Sequence, residues 1–311
     1  ALYLSKVRSI ALFVALGEST NVEMWTARSA MGNDFDGKYH RYSLFMHYIL
    51  YFVSYVFFAS FLIKKTFVQF CVFFVSFVSA SFAALMTIEK GPFMWFVIGL
   101  YLVYVFVEHR NKYPLGGILK LSIVGFVILI VLYIYLFDST DVGGAFESIM
   151  SRVFTGGVTP AYYYLEYFPA VEDFLYGRSL PNPGGIFPFE PFPLTQTISN
   201  WKFPQNVQFG IVGSAPTVYW AELYANFGYF GVALTPFYVG VALNIVTRLL
   251  DKLPSSPIKI GLVVWTAIHL QFLSQTGISM FLVDTYLIAV LAFAMIVIAL
   301  AHRGRIRLLD T

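Results

Sequence analysis

Glu222 is the residue whose surroundings most favour chemistry. It stands in the apolar and aromatic stretch 214–231, just before a predicted membrane span. Carboxylates at membrane depth are rare unless they are paired or functional. Loss of water makes a carboxylate a stronger base, so a general base is one interpretation of Glu222. The other interpretation, equally supported by the sequence, is an ion pair with an arginine that holds the neighbouring chain in place.

Four basic residues predict a place for an anionic ligand. Lys90 stands at the start of a predicted span, where free backbone N–H groups favour an anion. Arg152 and Arg178 lie in a long hydrophilic interruption, and arginine suits bidentate capture of a phosphate. With Arg28 they make the predicted external surface basic. The alternatives are a snorkelling Lys90 paired with Glu89, and arginines that only anchor to lipid headgroups.

A second polar group lies in the last two predicted spans. His269 and Asp284 are its notable members, with Gln271 and Gln275 nearby. All four fall in the outer half of the membrane on the topology that the basic residues indicate, so they could line one outward-facing cavity. His269 is therefore a second candidate base. The alternative is a helix–helix hydrogen bond, which is the commoner use of a lone histidine in a membrane helix.

The composition is typical of a membrane protein. Hydrophobic residues make up 58% of the 311 residues and charged residues 12%, with a mean hydropathy of +0.72. Soluble domains carry about 25% charged residues. No stretch resembles a nucleotide-binding loop, and we expect no nucleic-acid partner. The single cysteine, Cys71, falls in an apolar run, which excludes a disulfide framework and a thiol metal site.

Long apolar runs predict an all-α polytopic integral membrane protein with about seven to eight transmembrane helices. Only a helix pairs every backbone group within such a run. Residues 1–17 are apolar but interrupted by Lys6 and Arg8, so they could be the end of a truncated eighth span or a helix lying in the interface. The chain opens at Ala1 rather than Met. We therefore expect residues 1–311 to be a single membrane domain that has lost earlier spans. The seven predicted spans are 44–63, 66–86, 91–107, 116–137, 227–247, 258–274 and 278–300.

A long polar interruption separates the fourth and fifth predicted spans. Unstructured loops of more than about 15 residues are uncommon, and disordered segments lack the aromatic residues that this one contains. We therefore predict that residues 138–215 form an ordered external loop that caps the site. Within it, residues 181–193 are rich in proline, glycine and phenylalanine, which predicts a rigid, irregular flap.

Basic residues indicate which face of the membrane is cytoplasmic. They occur in four clusters, at Lys64–Lys65, 109–112, Arg248 with Lys252, and 302–307. Counting the predicted spans from the first cluster puts all four on one face, and the positive-inside rule makes that face cytoplasmic. The C-terminus is then cytoplasmic, and the chemistry is expected outside. The external loops are 18–43, 87–91, 138–215 and 275–277.

Several of these features together resemble a known family. They are a basic residue and glycine opening a mid-chain span (Lys90-Gly91), a long external loop, and the closing segment 222–231. The chain is similar in these respects to the Wzy-type O-antigen and oligosaccharide repeat-unit polymerases, from about residue 20 to the end. The resemblance implies a GT-C-like integral-membrane glycosyltransferase of the bacterial inner membrane, active on the periplasmic side with no metal or other cofactor.

The resemblance also implies the substrates and the roles of the candidate residues. Donor and acceptor would be undecaprenyl-diphosphate-linked oligosaccharides in the lipid bilayer, polymerised into O-antigen, capsule or exopolysaccharide. A flippase and a chain-length regulator would be protein partners. Glu222 would be the catalytic base, with His269 as the second candidate. The residues expected to bind substrate are Lys90, Arg152, Arg178, Arg28, Tyr224 and Asn226.

Other functions fit the same residues. An O-antigen ligase would use a lipid A core as acceptor, and this sequence does not separate ligase from polymerase. A lipid-linked sugar flippase or other transporter would carry out no chemistry. Transporters usually show charges through the depth of their spans and repeated halves. Here the polar residues gather on the predicted outer side, which favours an enzyme, and a membrane acyltransferase is a weaker alternative.

Overall fold

The computed structural model describes residues 9–17, 39–88, 90–109, 155–208, 213–282 and 284–309, with isolated residues elsewhere in 4–31, 116–131 and 143–151. Every regular element among these residues is helical, so the predicted all-α class is confirmed. The helices are α1 (Ala11–Leu16), α2 (Tyr39–Ser43), a π-helix (Leu44–Ile49), α3 (Leu50–Lys64), α4 (Phe67–Leu85), α5 (Lys90–Glu108), α6 (Thr159–Tyr167), a 3₁₀ turn (Pro183–Gly185), α7 (Leu194–Lys202), α8 (Pro204–Gln208), α9 (Tyr219–Asp251), α10 (Pro257–Leu270), a 3₁₀ turn (Gln271–Ser274), α11 (Ser279–Leu282) and α12 (Thr285–Leu309).

Six helical stretches in the described part of the chain are long and apolar enough to cross a membrane. They are Arg41–Lys64, Phe67–Leu85, Gly91–Glu108, Tyr219–Asp251, Pro257–Ser274 and Ser279–Leu300. Each overlaps one of the predicted spans. The remaining predicted span, 116–137, lies half outside the described residues. The protein is therefore a multi-pass membrane protein by the length and composition of its helices.

Helix α9 begins earlier than hydropathy predicts. The predicted span starts at residue 227, whereas α9 starts at Tyr219 and contains an interruption at Gly228, with φ 61° and ψ −149°. Only glycine adopts this conformation readily. Before the interruption, Ala221, Tyr224 and Ala225 are buried against protein rather than lipid. Because tertiary packing stabilises these first turns, hydropathy alone does not detect them.

Contacts divide the chain into two compact units. The first comprises Ala1–Ala145, Leu253–Ile268 and Tyr286–Thr311. Within it α3, α4 and α5 pack on one another. Tyr55 and Phe96 are fully buried at this packing, and the Tyr55 hydroxyl donates to the Phe96 carbonyl oxygen at 3.3 Å. That bond satisfies a polar group that would be expensive to bury alone.

The second unit comprises Phe146–Lys252 and His269–Thr285. It contains most of the long polar interruption, whose described residues 155–208 and 213–218 have a buried core of their own. Helices α6 and α7 pack there with the first turns of α9. The core residues are Ala161, Tyr164, Tyr167, Phe168, Leu175, Leu194, Ile198, Ala215, Val218, Ala221, Tyr224 and Ala225. Aromatic side chains thus form much of the core of this segment, and its external position and capping role stay predictions.

The flap at 181–193 is irregular apart from the single 3₁₀ turn, as its proline and glycine content predicts. The Asn182 side chain stabilises the flap through two hydrogen bonds to the backbone of Phe187. Its side-chain amide donates to the Phe187 carbonyl oxygen at 2.9 Å, and its side-chain oxygen accepts from the Phe187 N–H at 3.0 Å. The flap therefore has a defined local structure without a long helix or a strand.

Candidate functional site

Glu222 lies in the first turn of α9 and is only 5% exposed. Its carboxylate joins three separate segments. One oxygen, Oε1, accepts a hydrogen bond from the Ser179 hydroxyl at 3.1 Å. The other, Oε2, accepts from the Ser279 N–H at 2.8 Å, at the first residue of α11. Hydrogen bonds from the Ser179 hydroxyl and from both the backbone and the side chain of Ser279 therefore fix the orientation of this buried acidic group.

Gly277 gives the carboxylate the room that it needs. A Cβ atom at this position would collide with Oε2 of Glu222 and would lie 3.0 Å from its carboxyl carbon. The chain between α10 and α11 can therefore pass beside the carboxylate only because position 277 has no side chain. Residues 277–279 form one wall of the site.

Asn226 lies one helical turn after Glu222 and is completely buried. Its side-chain N–H₂ donates to Ser179 Oγ at 2.7 Å and to the Glu222 carbonyl oxygen at 2.8 Å. Its side-chain oxygen accepts from the Gly177 N–H at 2.9 Å. Asn226 thus holds the hydroxyl that binds Glu222. The sequence predicts substrate contact for this residue, and the structure shows its amide engaged with the protein.

Arg178 is paired with Glu172, with Nη2 3.4 Å from Oε1, and its guanidinium carbon lies 5.6 Å from the centre of the Phe192 ring. Both side chains of the pair are 40% exposed. None of the ion pairs in the described part of the chain includes Glu222. The alternative of a Glu222–arginine pair therefore does not hold for Arg178, and Arg152 lies outside the described residues.

Tyr224 and Tyr164 support the site from the core. The Tyr224 hydroxyl donates to the Phe168 carbonyl oxygen at 3.2 Å, and the Tyr164 hydroxyl donates to the Ala215 carbonyl oxygen at 3.0 Å. Burial raises the pKa of the Tyr164 phenol well above its ordinary value, and the nearby Glu222 carboxylate raises that pKa further. Tyr164 therefore stays protonated and serves as a donor. Tyr224, a predicted substrate-binding residue, packs and bonds within the protein.

His269 and Asp284 form a close pair in the same unit. His269 Nε2 lies 2.5 Å from Asp284 Oδ2, and the two side chains are 12% and 11% exposed. His269 stands near the end of α10, and Asp284 immediately precedes α12. The sequence predicts both residues in one outer cavity, and the structure brings them into direct contact. A histidine oriented by a carboxylate can accept a proton, and it can also simply join two helices.

The remaining predicted cations belong to the first unit or lie outside the described residues. Arg28 is exposed in the first unit. Lys90 begins α5, as its position before glycine predicts, but its side chain lies outside the described residues. Arg152 lies entirely outside the described residues. Of the four predicted anion-binding residues, Arg178 is the one that shares a unit with Glu222 and has a described side chain.

Sequence reasoning missed Ser179, Gly277 and Ser279. Ser179 stands in a polar turn with no helical or alternating pattern that would assign it a face. Gly277 and Ser279 do leave a signal, because a glycine and a serine separate two apolar runs where the second helix begins. That signal indicates a helix start, but not the distant carboxylate that it binds.

No family model matches this chain, and no curated protein or solved structure shows significant similarity to it.

Proposed function

We propose that this protein is a membrane glycosyltransferase that polymerises polyprenyl-diphosphate-linked oligosaccharide repeat units. It would act at the periplasmic face of the bacterial inner membrane, with its C-terminus in the cytoplasm. The observation that carries this proposal is the Glu222 carboxylate. It is buried in a membrane protein, it is held by hydrogen bonds, and within the described residues it has no ion-pair partner.

The proposed reaction transfers the growing glycan to the next repeat unit. A hydroxyl oxygen of the lipid-linked acceptor attacks the anomeric carbon of the donor. The bond between that carbon and the diphosphate oxygen breaks, and the carrier diphosphate leaves with the electron pair. The proton of the attacking hydroxyl passes to Glu222. A positioned general base contributes about 10²–10⁴-fold to such a step.

The geometry of Glu222 suits a base. An ionised carboxylate has about four lone-pair positions, and the bonds from the Ser179 hydroxyl and from the backbone and side chain of Ser279 occupy three of them. A carboxylate in an ion pair is a weaker base, because the opposite charge favours the ionised form. Hydrogen bonds from a hydroxyl and a backbone N–H orient the group with less loss of basicity than a full positive charge would cause.

Arg178 supplies the positive charge that the departing diphosphate requires. It is the chain neighbour of Ser179, the residue that binds Glu222. Its guanidinium carries five N–H donors, and its described polar contact is the half-exposed pair with Glu172. Fixed cations placed where negative charge develops lower the barrier of such reactions. Arg152 and Lys90 are proposed to complete the diphosphate site, and the polyprenyl tails would lie in lipid between the spans.

The proposal is tested by reconstitution. Purified protein in lipid vesicles is supplied with undecaprenyl-diphosphate-linked repeat units from the strain that makes them. We expect a ladder of longer glycans and release of undecaprenyl diphosphate in step with each bond formed. Transfer that begins only when lipid A core is added would indicate a ligase instead. Movement of the lipid-linked sugar across the vesicle membrane with no new glycosidic bond would contradict an enzyme.

A further inference from the structure

The turn at Tyr176 and Gly177 has an unusual backbone. Both residues have positive φ values, 49° at Tyr176 and 99° at Gly177. Glycine adopts such values freely, but a bulky residue rarely does, because its Cβ crowds the following carbonyl oxygen. Strained positions of this kind concentrate at functional sites, where the surrounding structure holds them.

Hydrogen bonds to α9 hold this turn in place. The Leu175 N–H donates to the Ala225 carbonyl oxygen at 3.0 Å, and the Tyr176 N–H donates to the Asn226 carbonyl oxygen at 3.0 Å. The Asn226 side chain binds the Gly177 N–H as well. Asn226 is four residues after Glu222, so the Tyr176 backbone is attached to α9 about 6 Å along the helix from the candidate base.

Nothing within the described part of the protein accounts for a tyrosine at this position. The Tyr176 side chain is 75% exposed, so it adds little to the core. Its phenol makes no hydrogen bond to any residue that the structure describes. Glycine or asparagine would adopt the same backbone with less strain. A large, exposed ring is thus carried by a backbone conformation that disfavours large residues, on a turn that is bonded to α9 near Glu222.

We propose that the Tyr176 ring is a stacking platform for a sugar ring of the glycan that enters the Glu222 site. This inference rests on the proposed function and names one contact of its substrate. Aromatic faces pack against the C–H faces of sugars, and neighbouring carboxylates and guanidinium groups bind the hydroxyls. The Glu172 carboxylate, which is 40% exposed, provides such a group in the same segment. A second aromatic ring lies nearby, because the end of the Phe227 side chain is close to Gly177 and this residue is 38% exposed.

The charges around the turn favour a sugar over a membrane surface. Glu172 and Asp173 outnumber Arg178 in this segment, and Asp173 is exposed. Bacterial membrane surfaces are anionic, and segments that bind them are basic. A segment that binds an anionic surface by charge would carry an excess of lysine and arginine. Carboxylates beside the ring suit the hydroxyl groups of a glycan.

The test is footprinting of tyrosines by hydroxyl radicals, with the protein in nanodiscs of phosphatidylethanolamine and phosphatidylglycerol. The probes are the undecaprenyl-diphosphate-linked repeat unit and undecaprenyl diphosphate without sugar. We expect Tyr176 to be labelled in empty nanodiscs and with the bare carrier, and to be protected by the glycan-bearing lipid. Tyr162, which is 61% exposed on α6, is the matched control and should be labelled equally in all three samples.

Each other outcome overturns the inference. Protection in empty nanodiscs would show that Tyr176 anchors to the membrane. Protection by the bare carrier would show a contact with the lipid rather than the sugar. Labelling that the glycan-bearing lipid leaves unchanged would show no contact at all. None of these readouts requires turnover, so failure of this inference is distinguishable from failure of the proposed reaction.

Variants at the same position separate the ring from the backbone. Tyr176→Asn removes the ring but keeps a residue that tolerates the left-handed conformation, so folding should be preserved. Its acceptor KM should rise about two- to tenfold, which corresponds to the loss of one stacking contact. Tyr176→Phe keeps the ring and should retain the wild-type KM. An unchanged KM in a well-folded Tyr176→Asn variant would also overturn the inference.

Discussion

At the scale of the residue, the site depends on the absence of a side chain at position 277. Gly277→Ala places a Cβ against the Glu222 carboxylate, so either the carboxylate or the chain must move. Overpacking of this kind costs about 1–3 kcal/mol of stability, and displacement of a catalytic group by about 1 Å can lower turnover about 100-fold. We expect both effects, measured by thermal unfolding in detergent and by turnover per folded molecule.

Gly240→Ala is the matched control for this substitution. Gly240 lies in α9, and a Cβ at this position would meet no described atom within 4 Å outside its own helix backbone. Alanine should therefore be neutral there or should stabilise the helix by up to about 1 kcal/mol. If the two alanine variants have the same thermal stability and the same turnover, the space beside the Glu222 carboxylate is not required for folding or activity.

The same residues show what a sequence can predict of a site. Glu222 is identifiable because a carboxylate in an apolar stretch is chemically conspicuous. Its partners are not, because Ser179 and Ser279 are 43 and 57 residues away along the chain. Asn226 and Tyr224 are predicted near the site, but their hydrogen bonds within the protein depend on tertiary structure. Composition locates the unusual group, and only the fold supplies the groups that orient it.

At the scale of the element, His269 and Asp284 join the end of α10 to the start of α12. His269→Leu alone leaves a nearly buried carboxylate without this partner, which should lower stability by about 3 kcal/mol. The double variant His269→Leu/Asp284→Leu should recover most of that loss, because two apolar residues replace the pair. A double-mutant cycle of unfolding free energies measures the coupling.

The double variant also decides between the two candidate bases. If Glu222 takes the proton, the folded double variant should keep turnover near the wild-type value. A double variant that is stable but inactive would assign the base to His269 and would make Asp284 its orienting partner.

Helix α9 marks where hydropathy succeeds and where it fails. Hydropathy identifies the apolar helix that follows Gly228, because those residues need a nonpolar environment. It does not detect the turn that carries Glu222, which is stabilised by packing on α6 and α7. Functional residues at the edge of a span are thus the ones whose helical context depends most on tertiary contacts.

At the scale of the whole molecule, the orientation in the membrane is a prediction from the four basic clusters. Ile186 in the flap is 75% exposed, so Ile186→Cys in a Cys71→Ser background should react with a membrane-impermeant maleimide in intact spheroplasts. Lys64→Cys, from the first basic cluster, should react only after lysis. The reverse pattern would place the proposed site in the cytoplasm, where the proposed substrates are not polymerised.

The central claim is that Glu222 takes a proton during glycan transfer, and Glu222→Gln tests it most directly. Glutamine preserves the hydrogen bonds, since its oxygen can accept from Ser279 and its amide can donate to the Ser179 hydroxyl. Glu166→Gln is the control, because this exposed carboxylate is paired with Lys202 in the same unit, away from any proposed chemistry.

The decisive measurement is polymerisation rate per folded molecule, alongside binding of the lipid-linked repeat unit. We predict that Glu222→Gln lowers the rate about 10²–10⁴-fold with little change in binding, while Glu166→Gln behaves as wild type. A folded Glu222→Gln protein that polymerises at a rate near the wild-type value would contradict the account.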